Sequence, residues 1–160
     1  MNLLVCGFMG AGKSTLGRKL GGLNVLDLDQ ELEKKFQSTI DHQVLELGWD
    51  KFREREFSLL IELLTRYVHE NWIIILGGGT LNLEKLKILR QCIWVKLLWL
   101  DVPFEICWER IQGDLSRPLV KKGKEFCQNL YLERLSTYQM SDFTVSNNDE
   151  AEKLIGKLVK

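Results

Sequence analysis

The chain has 160 residues, 45% of them hydrophobic, which is enough for one compact domain with a core and too little for a second. Lys plus Arg number 22 and Asp plus Glu number 22, so the net charge is zero and nothing electrostatic points to nucleic acid or an anionic membrane as partner. Cys6, Cys92, Cys107 and Cys127 have no short paired spacing and His42 and His69 stand alone, which argues against a zinc site and for reduced thiols in a cytoplasmic protein; no apolar run approaches the roughly 20 residues of a membrane span.

Leu3 to Cys6 is short, apolar and followed by glycines, as a buried strand is. It runs straight into a glycine loop, so no signal peptide is expected. That loop, Gly7-Phe8-Met9-Gly10-Ala11-Gly12-Lys13-Ser14, is a complete P-loop, and a helix is expected from Lys13 to the Gly21-Gly22 doublet. In such a loop the glycines let successive N–H groups turn toward phosphate oxygens. Lys13 adds a point charge, the Ser14 hydroxyl can ligate Mg²⁺, and the helix directs its positive end at the same anion. A plain glycine turn between strand and helix is the bland reading, and the intact Lys13-Ser14-Thr15 run argues against it.

Asn24 to Leu28 reads as a second strand, with Asp29-Gln30-Glu31-Leu32 opening a helix. Residues two apart on a strand share a face, so Asp27 and Asp29 would both reach the crevice beyond the sheet's carboxyl ends. One would serve Mg²⁺ and the other would take the proton of an attacking hydroxyl. Asp29 as a simple N-cap of the next helix explains it about as well.

Lys51 to His69 carries Phe52, Phe57, Leu60, Ile61 and Leu64 at near-helical spacing, which predicts a long amphipathic helix. Near its start Arg53 suits a bidentate grip on a carboxylate, with Glu56 one turn on to hold the guanidinium; a solvated charge run is the commoner origin of such a segment. Trp72 to Leu76 reads as a buried strand ending on Gly77-Gly78-Gly79, which permits either close backbone approach to a ligand or a tight turn. Leu83 to Arg90 reads as helix, Ile93 to Leu100 as strand, and Phe104 to Ile111 as helix. From Gln112 to Lys124 the chain turns polar and basic, as a lid does, and Arg117-Pro118-Leu119 places an arginine there that can swing over phosphates. A helix from about Glu125 to Tyr138 carries Arg134; a strand at Phe143 to Val145 and a helix from Asp149 follow. Strands alternating with helices predict a parallel sheet covered on both faces.

No Asn/Thr-Lys-x-Asp base-reading segment of a GTPase is present, and a motor or transporter ATPase would be longer. A small-metabolite kinase fits best. In the order P-loop, Asp27-x-Asp29, Phe52-Arg53-x-x-Glu56, Gly77-Gly78-Gly79, Arg117-Pro118-Leu119, then Arg134 followed by Tyr138, the chain resembles shikimate kinase along nearly its whole length.

The resemblance implies a three-layer α/β P-loop kinase fold, nucleoside-monophosphate-kinase-like, with a five-stranded parallel sheet. It implies a single domain with an acceptor-binding helical region at about 30–60 and a lid at about 112–124. The activity implied is transfer of a phosphoryl group from ATP, with one Mg²⁺, to the 3-hydroxyl of shikimate on the route to aromatic amino acids. The protein would be a cytoplasmic monomer. Gly10, Ala11, Gly12, Lys13, Ser14 and Thr15 would bind the nucleotide with Arg110 and Arg117, Arg110 lying against the adenine. Ser14 and Asp27 would hold the metal. Asp29, Arg53, Arg134 and the Gly77, Gly78 and Gly79 backbone would bind shikimate, with Lys13, Asp29 and Arg117 the catalytic set.

Some positions depart from the family. Leu76 stands where a Thr or Ser usually precedes the glycine triplet, so a hydroxyl is missing there. Gly48-Trp49 replaces Gly-Glu, Gln139 replaces an acidic residue, and no proline follows Pro118 to pack on adenine, leaving Asn147 or Asn148 for that edge. The nearest rival is a gluconate kinase; a nucleotide-binding regulatory module is the rival from another class.

Overall fold

The computed structural model describes residues 1–114 and 116–159. Its strands are Asn2–Cys6 (β1), Val25–Asp27 (β2), Ile73–Ile75 (β3), Val95–Leu100 (β4) and Phe143–Val145 (β5). All pair in parallel, in the order β2-β3-β1-β4-β5. The central strands need apolar side chains on both faces because helices cover both. Leu3, Leu4, Val5, Ile73, Ile74, Ile75, Leu97 and Leu98 are accordingly all buried.

The helices are Lys13–Lys19 (α1), Leu28–Phe36 (α2), Ile40–Leu47 (α3), Trp49–Arg66 (α4), Leu83–Leu89 (α5), Phe104–Ile111 (α6), Lys124–Tyr138 (α7) and Asn148–Leu158 (α8). None among the described residues is long and apolar enough to cross a membrane. Cys6, Cys107 and Cys127 are buried and unpaired, and burial pushes the thiols of Cys6 and Cys107 up to about 11.

From β1 the chain passes out to β2, returns to β3, and then crosses to β4 on the other flank of β1. This reversal opens a crevice beyond the carboxyl ends of β1 and β3, the place where open α/β sheets bind ligands. Register delivers two glycine segments there together. Val5 pairs with Ile75, and the Leu76 N–H donates to the Val5 carbonyl at 3.0 Å. The P-loop and the glycine triplet therefore leave the sheet side by side.

Three differences from the sequence reading bear on the site. The second strand stops at Asp27, whose carboxylate caps α2 by accepting from the N–H groups of Asp29 and Gln30. The shared-strand-face argument for Asp27 and Asp29 therefore fails: Asp29 lies in the first turn of α2. A helix not foreseen, α3, starts at the N-cap Thr39 and ends at Gly48, whose φ of 77° lets the chain turn directly into α4. Its pattern gives little sign of it, because Gln43 is its buried residue. The long helix begins at Trp49 rather than Lys51 and ends at Arg66, before Tyr67.

Candidate active site

The loop between β1 and α1 curls through positive φ at Gly10 (81°) and Gly12 (102°), where a side chain would strain the backbone. A Cβ on Gly10 would also lie 2.5 Å from the Cys107 carbonyl of α6. Helix α1 has no side-chain cap, so its first N–H groups stay free for an anion. Lys13 is buried, and its ammonium donates to the Gly7 and Phe8 carbonyls at 2.7 and 3.0 Å. Burial draws it down from 10.5 to about 8, partly offset by the charge of Asp29. The Ser14 hydroxyl donates to Oδ2 of Asp27 at 3.4 Å, while Oδ1 of that carboxylate is engaged by the α2 backbone. A hydroxyl and one free carboxylate oxygen are a donor set that suits Mg²⁺, which draws its remaining ligands from phosphate and water. Thr15 is exposed beside them and accepts from Arg18 at 3.3 Å.

Two other side chains predicted to touch nucleotide, Arg110 and Arg117, line the same cavity as the loop. Arg110, at the end of α6, is exposed and donates to the carbonyls of Gly10 at 2.9 Å and Ala11 at 3.3 Å. It also lines a cleft with Val102, Pro103, Ile106, Asn147 and Asn148, so both asparagines sit at the edge expected to face the base. Arg117 is exposed in the stretch expected to form a lid and donates to Asp114 at 2.7 Å.

Across the crevice, Arg53 and Arg134 converge on the glycine triplet. A Cβ on Gly79 would lie 2.6 Å from Nη2 of Arg53 and 2.7 Å from Nη2 of Arg134, so glycine is what lets both guanidinium groups lie against the backbone. Arg53 donates to Oε2 of the fully buried Glu56 at 2.7 Å and rests against the rings of Trp49 and Phe52. Arg134 lies over the ring of Phe8, 5.7 Å from its centroid, and no carboxylate pairs with it among the described residues. The arrangement thus keeps one cation neutralised and one available for an anionic ligand. Tyr138, one turn beyond Arg134, donates to the Gly78 carbonyl at 2.6 Å and fixes the triplet from behind.

Thr80 is the residue that sequence reasoning missed. Its buried hydroxyl donates to Oε1 of Glu56 at 2.7 Å and lies 3.1 Å from the Gly77 carbonyl. A hydroxyl thus follows the triplet at Thr80, while none precedes it at Leu76. A Thr following the glycines on the way to an Asn82-capped helix was the available signal.

Asp29 stands between the two halves. Burial first, then the charges of Glu56 and Asp27, raise its carboxyl from 3.8 to about 6, with Lys13 and Arg53 opposing. Two cavities meet at this residue. One of about 370 Å³ is lined by the P-loop, Lys13, Ser14 and Arg110; the other, of about 460 Å³, by Trp49, Arg53, Gly79 and Arg134. Asp29 and Arg117 line both. Of the predicted site, Lys13, Ser14, Asp27, Asp29, Arg53, the triplet, Arg117 and Arg134 thus gather on one continuous space.

The family model for shikimate kinase matches residues 9–160. The chain is 31% identical to a shikimate kinase of Persephonella marina over 94% of its own length and 91% of the relative's. It is 35% identical to one of Staphylococcus haemolyticus over 92% and 86%. Among solved structures, the shikimate kinase of Acinetobacter baumannii in complex with shikimate superposes with a TM-score of 0.84 at 30% identity, covering 98% of this chain and 92% of that one. A gluconokinase of Sinorhizobium meliloti reaches 0.59 at 18% identity over 91% and 80%, a likeness of fold alone.

Proposed function

The chain belongs to the shikimate kinase family, and from that membership we propose how its own residues move the γ-phosphoryl group of ATP to the 3-hydroxyl of shikimate. The observation that carries the reading is the wall common to the two cavities, where Asp29 and Arg117 stand between a phosphate loop and a pair of convergent arginines.

On the acceptor side, Arg53 and Arg134 take the carboxylate of shikimate, with Glu56 and Thr80 holding Arg53 in place. That places the ring over the glycine triplet and its hydroxyls toward Asp29. On the donor side the loop N–H groups and Lys13 hold the phosphates. Lys13 must exchange the Gly7 and Phe8 carbonyls for phosphate oxygens, and a neighbouring anion restores the charge that burial disfavours. Ser14 and Asp27 would hold Mg²⁺, which offsets charge on the phosphate oxygens.

The hydroxyl oxygen forms a bond to the γ-phosphorus as the bond from that phosphorus to the β–γ bridging oxygen breaks, and the hydroxyl proton passes to Asp29. A carboxyl near 6 accepts such a proton more readily than an ordinary aspartate. The transition state of phosphoryl transfer is loose, so alignment and charge neutralisation by Lys13 and Arg117 outweigh base strength. Because the exposed Arg117 is held by a solvent-accessible pairing with Asp114, worth little, it releases easily to the phosphates.

ADP release measured with shikimate, with gluconate and with no acceptor tests the assignment. We expect turnover with shikimate alone. Turnover with gluconate instead, or only background hydrolysis, overturns it.

A further inference from the structure

The carbonyls of the phosphate loop are held by side chains from two helices that are remote in sequence. Arg110 of α6 donates to the Gly10 and Ala11 carbonyls, and Asn148 of α8 donates through Nδ2 to the Gly12 carbonyl at 3.2 Å. Three consecutive carbonyls are therefore engaged by side chains, and the Gly12 carbonyl also accepts the first bond of α1, from the Leu16 N–H at 2.9 Å. In a planar trans peptide the N–H points opposite to the C=O, so holding the Ala11 and Gly12 oxygens outward turns the N–H groups of Gly12 and Lys13 inward. Peptide groups flanked by glycines at positive φ rotate at little steric cost, and this loop has them at Gly10 and Gly12. Backbone bonds from the Ala11 N–H to the Phe8 carbonyl and from the Leu16 N–H to the Gly12 carbonyl restrain two of these peptide groups. The side chains restrain the Ala11–Gly12 peptide and reinforce the others, so less freedom has to be removed when an anion binds.

A second observation singles out Asn148. Its Oδ1 is buried and has no hydrogen-bond partner among the described residues. An unpaired buried acceptor costs stability, and native structures rarely tolerate one away from functional sites. The amide orientation is thus set by the bond to Gly12 and not by satisfaction of the side chain itself.

We propose that Arg110 and Asn148 are positioning residues that clamp the phosphate loop in its anion-binding form, acting on the nucleotide through the peptide groups of residues 10–12. For Arg110 this is a role separate from any contact with the base. The inference rests on the reading of the loop as the phosphate site.

The two effects separate with a ligand that has phosphates and no base. Affinities for ADP and for inorganic tripolyphosphate, both with Mg²⁺, are measured by displacement of a fluorescent nucleotide from wild type, Arg110→Ala and Asn148→Ala. A clamp weakens both ligands by a similar factor, roughly tenfold for each variant, as loss of a well-placed hydrogen bond does. Asn148 carries no charge, so its variant changes the loop without altering the field felt by the anion. Shikimate affinity and thermal midpoint should remain those of wild type, which separates the clamp from a general loss of structure. Weakened ADP with tripolyphosphate unaffected would show contact with base or ribose only and overturn the proposal, as would unchanged affinities for both. A wild type that binds neither ligand would instead overturn the phosphate-site reading on which the clamp rests.

Discussion

Burial and the carboxylates of Glu56 and Asp27 lift Asp29 from 3.8 to about 6, so the residue we propose as proton acceptor is also one the fold holds at a disadvantage when charged. The sign follows from proton counts. Between 3.8 and about 6 the folded protein keeps a proton that the unfolded chain has released, so this group makes stability fall as pH rises through that window. Below it the penalty is absent; above it the penalty is complete, on the order of 3 kcal/mol for a shift of about two pH units. Asp29→Asn removes the charge. We expect it to raise the unfolding free energy at pH 8 by up to that amount and to give no gain at pH 3.5, while lowering turnover with shikimate by well over tenfold and sparing ADP binding. Denaturant titrations at the two pH values, beside steady-state kinetics, check this. A variant no more stable than wild type at pH 8 would contradict the buried-charge account, and near-normal turnover would remove Asp29 from proton transfer.

At the level of elements, the turn joining β3 to α5 is where the side chains of the proposed acceptor site converge. The triplet of glycines is read directly from sequence, but what it accommodates is not, since Arg53 comes from α4 and Arg134 from α7. Gly79 lies outside the positive-φ group, so its backbone suits any residue; the atoms nearest to the space of a Cβ are the two guanidinium ends. Long side chains move aside at small cost. Gly79→Ala should therefore fold with a thermal midpoint within a few degrees of wild type, yet bind shikimate at least tenfold more weakly because both arginines are displaced. Gly10 is the contrast: a Cβ there meets the Cys107 carbonyl, which is backbone and cannot yield, at a φ of 81°. Titration of shikimate into Gly79→Ala decides the matter. Unchanged affinity would mean that the arginines do not need their present seats, and a collapsed midpoint would mean that the turn serves the fold first.

Across the whole molecule, a parallel sheet covered on both faces was legible because apolar runs at Leu3, Ile73 and Leu97 alternate with helical spacing, whereas the strand order comes from the structure. The helix α3 and the hydroxyl of Thr80 were not legible, since both depend on neighbours distant in sequence. The clamp from Arg110 and Asn148 was hidden for the same reason, at 100 and 136 residues from the loop carbonyls they hold. That architecture also dictates how the two substrates communicate. Both cavities open at the reversal beside β1, and Asp29 and Arg117 belong to each. Whichever ligand arrives first must order Arg117 and settle the charge at Asp29, so the second meets a wall already arranged. We expect ADP to tighten shikimate binding by a factor of roughly 5 to 100, and shikimate to tighten ADP by the same factor, because coupling between binding sites is reciprocal. Calorimetric titration of each ligand with and without the other measures both ratios. In Arg117→Ala the coupling should shrink toward unity while each ligand alone still binds. Independent binding in wild type would mean that the shared wall transmits nothing, and full coupling retained in Arg117→Ala would place it in Asp29 and the glycine triplet instead.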